Sequence, residues 1–355
     1  NITRLLGMEI GMADMPGLRI DMEDATLCRR VVAPPSSSSN NANKNGDDWA
    51  LLGVFDGHGD GGQCSSFLVE SLPVALQSTD LWKNGGSGDT DTTTTIQPEE
   101  WKQALTSTCS TLDEQLKEQQ YPGGSTANVA LITQDHVVVM NVGDCRCILI
   151  KKRQQNDGTD DVPPLEMEQE RDAIAPPPQQ EKKLYEIVSL STDHKPYLDE
   201  EEDRIEKAGL HVVAKTYTNV KNPLSSSSPD EEEEVTVWKI EKSETEFLSV
   251  SRSFGDYEYK ANRNLAPHEQ AVVSVPDVVV QKRDQEHDLF LVLACDGIWD
   301  VMKDDDVADF LLKSSSTLES AAQDLLHECL ARGSRDNMSV IVASLQQQRE
   351  KRALF

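Results

Sequence analysis

The chain has 355 residues, 37% hydrophobic and only 5% aromatic, with 62 acidic against 34 basic side chains and a formal charge of −28. Such a charge repels nucleic-acid backbones and anionic membrane surfaces, and it favours cations or basic peptide segments as partners. No apolar run approaches the ~18–20 residues of a membrane-spanning helix, and no signal-peptide pattern follows Asn1. Because the first residue is not Met, a targeting segment upstream stays open. Seven scattered cysteines without a C-x-x-C pair speak against a disulfide framework or structural zinc and for a reducing compartment, cytoplasmic or nuclear.

Taken in chain order, β-branched or aliphatic runs predict strands at Ala25–Val32 and Ala50–Phe55, separated by the Ser/Asn-rich stretch Pro34–Asp48. The Gly/Ser/Thr/Asp stretch Asn84–Thr95 follows. Pro98-Glu99-Glu100 then opens a helix whose apolar positions Trp101, Leu105, Thr108, Leu112 and Leu116 keep helical spacing. Strands are predicted next at Ala127–Ile132, Val137–Val142 and Arg146–Ile150, with Cys145 and Cys147 as small core residues. Beyond the acidic, Pro-containing stretch Gln154–Lys183 come a strand at Glu186–Leu190 and a helix near Asp199–Lys207. Asn222–Glu234 runs through Ser225–Ser228 into five acids, Asp230–Glu234. Strands at Val278–Gln281 and Leu289–Ala294 follow. A Ser316-x-x-Glu319 capping box then starts a helix with the stripe Leu318, Ala322, Leu325, Cys329 and Leu330, and the strand Met338–Ala343 closes the set.

This order lacks strict βαβ alternation and points to antiparallel sheets with helices packed outside. The four polar stretches hold too little apolar material to offset ordering entropy. Chemical motifs fall on both sides of each. They therefore read as insertions, near 34–48, 84–95, 154–183 and 222–234, within one domain spanning 1–355.

Four acidic groups adjoin apolar strand sequence: Asp21 to Asp24, Asp56, Asp296 and Asp336. Two ionised carboxylates about 5 Å apart repel by roughly 3 kcal/mol at an effective dielectric of 20. If the four converge, raised pKa values or bound cations must compensate, and an all-oxygen set suits Mg²⁺ or Mn²⁺. Spacing alone equally allows each acid to cap a turn or face water by itself. In Asp56-Gly57-His58-Gly59, Gly57 permits close backbone approach, and His58 has the right chemistry to protonate a leaving group near neutral pH.

At this point the sequence resembles the protein phosphatase 2C (PPM) family, from about Gly7 to Leu345. The matching strings, in family order, begin with Arg19–Ala25 (RIDMEDA), Val54–Gly59 (VFDGHG), Gly124–Ala127 (GSTA), Val142–Asp144 (VGD) and Asp193–Pro196 (DHKP). They continue with Glu202–Gly209 (EDRIEKAG), Ser251–Asp256 (SRSFGD), Ala294–Asp300 (ACDGIWD) and Gly333–Val340 (GSRDNMSV).

The resemblance implies an α+β fold, a four-layer αββα sandwich of two antiparallel sheets flanked by helices, with metals at one rim. It implies that Asp56 bridges two Mg²⁺ or Mn²⁺ ions and that Glu23, the Gly57 carbonyl, Asp296 and Asp336 complete their ligands. Asp24 would hold a metal-bound water, and Asp144, Asp296 and Asp300 would form a third, weaker metal site. Arg19 would clamp the substrate phosphate and His58 would act as general acid. The implied activity is hydrolysis of phosphoserine and phosphothreonine in proteins by a metal-bridging hydroxide, without a phosphoenzyme, in a monomer. Asp193 and Asp256 also fall in family motifs without being expected as ligands, and Asp256 reads as structural, beside Arg252. Three departures stand out. The loop after His58 is one residue longer than usual, Cys145 stands where Ser is common, and Ser243–Glu246 replaces a Gly-containing hairpin. That hairpin belongs to a flap enlarged by 222–234, where the acidic run would favour substrates with basic residues near the phosphate.

Overall fold

The computed structural model describes residues 3–34, 48–84, 96–153, 183–219 and 233–346. Its frame is two antiparallel sheets. One has the strand order Thr3–Leu5, Met8–Met15, Met338–Ser344, Asp288–Ala294, Arg146–Lys152 and Tyr185–Ser189. The other has the order Asp277–Lys282, His136–Val142, Ala127–Ile132, Asp48–Phe55 and Ala25–Val32.

The strand Asp48–Phe55 shows why the layers stack. Ala50, Leu52 and Val54 join a core shared with Val292, Ile341 and other residues of the opposite sheet. Trp49, Leu51 and Phe55 instead pack with Leu68, Leu72 and Leu112 of the helices Gln63–Gln77 and Pro98–Gln119. Period-two alternation with both faces covered turns the strand into a continuous apolar run. Fully burying each such Leu or Val stabilises by about 1.5–3 kcal/mol. On the far side, the helices Leu318–Ala331 and Asp304–Lys313 cover the first sheet. A Cβ at Gly11 would lie 2.1 Å from the Leu318 carbonyl oxygen, so glycine permits that close seating. The result is the expected four-layer αββα sandwich.

Several elements differ from the sequence reading. The edge strand Thr3–Leu5, the strand Met8–Met15 next to it and the hairpin His211–Asn219/Glu233–Glu241 were not expected. Neither was the start of a helix at Gln63, which runs through Pro73. The C-terminal helix is capped by Thr317, whose hydroxyl accepts from the Ser320 N–H at 3.3 Å, so the cap lies one residue beyond Ser316.

The insertions expected at 34–48, 84–95, 154–183 and 222–234 lie almost entirely outside the described residues. Their bases are nonetheless defined. Val32 pairs with Asp48, Lys152 with Tyr185, and Asn219 with Glu233, so three of them are hairpin connections. Asn84 ends the helix Asp80–Asn84, and Glu233 and Glu234 are strand residues. Among the described residues no helix is long and apolar enough to cross a membrane.

Candidate active site

Strand ends from both sheets open on one rim. Asp24 directly precedes Ala25, and Asp56 follows Phe55; because Ala25 pairs with Phe55, the two acids emerge side by side. Asp144 occupies the turn before Arg146, and Asp296 follows Ala294 by two residues. The pairing of Ala294 with both Arg146 and Val340 brings Asp144, Asp296 and the Asp336 segment together. Ligand-capable atoms of Asp24, Asp56 and Cys295 lie within 4.8 Å of one another, and so do those of Asp56, Asp144 and Asp296. Asp56 is the member common to both groups.

Burial, then the neighbouring Asp24, Asp296 and Asp144, push the Asp56 carboxyl well above the usual carboxylate range. Asp296 is raised in the same way by burial, Asp144 and Asp300. Burial chiefly, with Asp336 adding, lifts Asp24 to about 6. Burial and the facing acids Asp144 and Asp336 raise Asp300, against the opposing pull of Lys195. Lys195 meets Asp144 at 2.5 Å; burial disfavours its ammonium form, but Asp144, Asp296 and Asp300 hold it charged.

One ammonium does not neutralise this set. Both oxygens of the buried Asp24 also lack a donor in hydrogen-bonding geometry, although Ser339 and Cys295 lie close by. Crowded, hydrogen-bond-poor carboxylates fit hard divalent cations, which take oxygen ligands. Cys295, which lies within reach of Asp24 and Asp56, fits poorly as a ligand for such cations, because thiolate sulfur is soft and Mg²⁺ and Mn²⁺ take oxygen.

The other expected site residues take distinct places. Gly57 is buried, and a Cβ there would fall 2.3 Å from the Glu23 carbonyl oxygen, so glycine is required. The Glu23 side chain lies outside both carboxylate groups and accepts the backbone N–H of Asp60 (3.1 Å) and Gly61 (2.8 Å) from the lengthened loop. Arg19 donates to Asp336 at 2.7 Å in a half-exposed pair of small net worth. Asn337, given no role from sequence, ties down the 16–23 segment. Its amide donates to the carbonyls of Pro16 and Asp21, and its oxygen accepts from the Glu23 N–H.

His58 is placed by a sheet of two-residue strands. Gly57–His58 pairs with Gly124–Ser125, which pairs with Phe254–Gly255. The next residue, Asp256, turns back in a left-handed conformation (φ 50°) and receives His58 Nε2 at 2.8 and 3.0 Å. The reading of Asp256 as a neighbour of Arg252 is therefore corrected: Arg252 pairs with Glu201 and Asp277. Burial opposes ionisation of Asp256, but His58, Ser253 and Lys260 overcome it and hold its carboxyl below the usual range. For His58, burial disfavours the charged ring, and Asp256 outweighs it and raises the pKa. Asp193 is engaged by Arg146 at 2.7 and 3.1 Å, a structural pair.

A sandwich of this layering carries at one rim a set of buried acids suited to hold divalent cations. Its fold is similar to that in the crystal structure of serine-threonine phosphatase 2C from Toxoplasma gondii, with TM-score 0.67, 20% identity and 96% of each chain covered. The chain belongs to the protein phosphatase 2C family, whose model, Protein phosphatase 2C, matches residues 8–338. Protein phosphatase ppm-1.A of Caenorhabditis elegans is 30% identical over 347 residues, covering 95% of this chain and 59% of the relative. Human Protein phosphatase 1A is 28% identical over 345 residues, covering 95% of this chain and 70% of the relative. The chain thus spans well under the full length of these relatives. The family is one of metal-dependent serine/threonine protein phosphatases.

Proposed function

We propose that this chain hydrolyses phosphoserine and phosphothreonine in proteins, using Mg²⁺ or Mn²⁺ and water, with no phosphoenzyme. The observation that carries the reading is the convergence of Asp24, Asp56, Asp144 and Asp296 beside the His58–Asp256 pair. Asp56, shared by both groups, would hold the cations together with Glu23, the Gly57 carbonyl, Asp296 and Asp336. Asp144, Asp296 and Asp300 suit a third, weaker site. Cations held there supply an easily ionised water and offset phosphoryl charge.

The chain's own groups do the rest. Asp24, without hydrogen-bond donors of its own, orients a water by accepting from it. Arg19 exchanges its surface pair with Asp336 for the phosphoryl oxygens, which its planar fork binds two at a time. His58 gives a proton to the leaving serine or threonine oxygen as the P–O bond breaks.

Cys295, which lies beside Asp24 and Asp56, is buried, and burial pushes its thiol well above the usual range. The chain acts as a monomer on phosphoproteins, with basic residues near the phosphosite favoured. All seven cysteines are free, which suits a reducing cytoplasmic or nuclear setting. Acid-quenched single turnovers with labelled phosphopeptide test the chemistry, and a trapped labelled protein would contradict it. Faster turnover of sugar phosphates than of phosphopeptides would move the reading to small phosphate esters.

A further inference from the structure

We infer that Asp256 is the positioning residue for His58: it holds the imidazole with Nε2–H turned inward, so that Nδ1 meets the leaving oxygen. This rests on the reading of His58 as the proton donor and adds to it a partner, an orientation and a cause.

The geometry leaves little choice. Asp256 is buried and receives Nε2 at 2.8 and 3.0 Å on its two oxygens. An ionised carboxylate only accepts, so Nε2 carries the hydrogen. Ser253 Oγ donates to the same carboxylate at 2.5 Å, fixing its plane. Among the described residues no hydrogen bond engages Nδ1, and the His58 side chain keeps 32% of its surface open. With Nε2 engaged by Asp256, Nδ1 is the ring nitrogen left for a substrate.

The arrangement is built, not incidental. Asp256 reaches His58 across Gly124, where a Cβ would lie 2.2 Å from its Oδ2, so only glycine leaves the passage. The segment carrying it is pinned to the helix Pro98–Gln119. Asp113 accepts from the Gly255 N–H at 2.9 Å and from Lys260 Nζ at 2.8 Å. A buried carboxylate that fixes one ring nitrogen selects the tautomer and aims the other. In the reaction, the Nδ1 proton passes to the serine or threonine oxygen as its bond to phosphorus breaks. The attacking water loses its proton to solvent, and the ring remains neutral with Nε2–H still on Asp256.

The test is a double-mutant cycle on two substrates, with folding checked by circular dichroism. Phosphothreonine peptide needs a proton on its leaving oxygen, whereas p-nitrophenyl phosphate does not. Asp256→Asn is expected to lower kcat on the peptide by about 10²–10³ and on the aryl ester by less than about tenfold, with KM little changed. His58→Gln should give the same pattern, and the double variant should lose no more than His58→Gln alone. Equal losses on both substrates for Asp256→Asn, or multiplied losses in the double variant, overturn the positioning role while leaving His58 as the acid. Equal losses for His58→Gln overturn the acid reading and the inference with it. If Asp256→Asn does not fold, ring ¹⁵N correlation of the wild-type chain decides: a proton on Nε2 supports the assignment, and an unprotonated Nε2 refutes it.

Discussion

Replacing Asp56 with Asn removes one negative charge from the point where both carboxylate groups meet, while keeping the side chain's shape. Ligand-capable oxygens in each group lie within 4.8 Å. Two unit charges at that distance repel by about 3.5 kcal/mol at an effective dielectric of 20. Asp24, Asp144 and Asp296 all face Asp56, but proton uptake relieves part of the sum. Asp24 reports none of this repulsion, because its rise to about 6 comes chiefly from burial, with Asp336 adding. Because burial and these neighbours already push Asp56 toward its neutral form, Asp56→Asn is expected to stabilise the cation-free chain at pH 7.5 by at most about 3 kcal/mol. The same substitution should abolish most turnover. Urea unfolding in EDTA and in excess Mg²⁺ or Mn²⁺ measures both sides. Cation should raise the wild-type midpoint clearly and the variant's little. A variant that is less stable in EDTA than the wild type, yet gains as much from cation, would refute the electrostatic reasoning.

Away from the rim, burial opposes ionisation of Glu201, but Arg204 and Arg252 hold its carboxyl at about 2. A depressed carboxyl stabilises above its unfolded value of 4.5 and loses that contribution as pH falls toward 2. Glu201→Gln should thus cost up to about 3 kcal/mol at pH 7 and flatten the stability curve between pH 4.5 and 2, as read by urea unfolding at several pH values. Deleting 36–46 or 156–180 should leave cation binding and turnover intact, because the strand pairs at Val32–Asp48 and Lys152–Tyr185 already close these loops and shortening them costs little entropy. A trimmed chain that folds but fails to bind cation by calorimetry would place that insertion in the site. Neutralising Asp230–Glu234 to Asn and Gln should lower the kcat/KM ratio of basic to acidic phosphopeptides, with a smaller effect as salt rises. An unchanged ratio would leave the run without a part in substrate choice.

Strands buried on both faces, such as Ala127–Ile132, were legible because every position must be apolar. Met8–Met15 was not, because Gly11 and Glu9 answer to the helix seated on that strand: Gly11 makes room for Leu318, and Glu9 accepts its N–H. The hairpin His211–Asn219/Glu233–Glu241 is largely exposed, so its polar composition masks the pairing. Pro73 hid the helix Gln63–Gln77, whose stability comes from packing Leu68, Leu72 and Leu76 rather than from propensity. The acids of the rim were legible as residues next to strands, but not as a cluster without the family likeness, because register between distant strands brings them together. Asp256 was misread for the same reason. Its contact with His58 spans 198 residues and depends on a glycine in a third strand, so no local pattern announces it.

The central claim is that the gathered carboxylates hold the cations on which phosphate release depends. Phosphate release from a phosphothreonine peptide, followed as chelated enzyme is titrated with Mg²⁺ or Mn²⁺, tests it most directly. The expected result is no release in excess EDTA, recovery on cation addition, and silence of Asp56→Asn throughout; full activity in excess EDTA would contradict it.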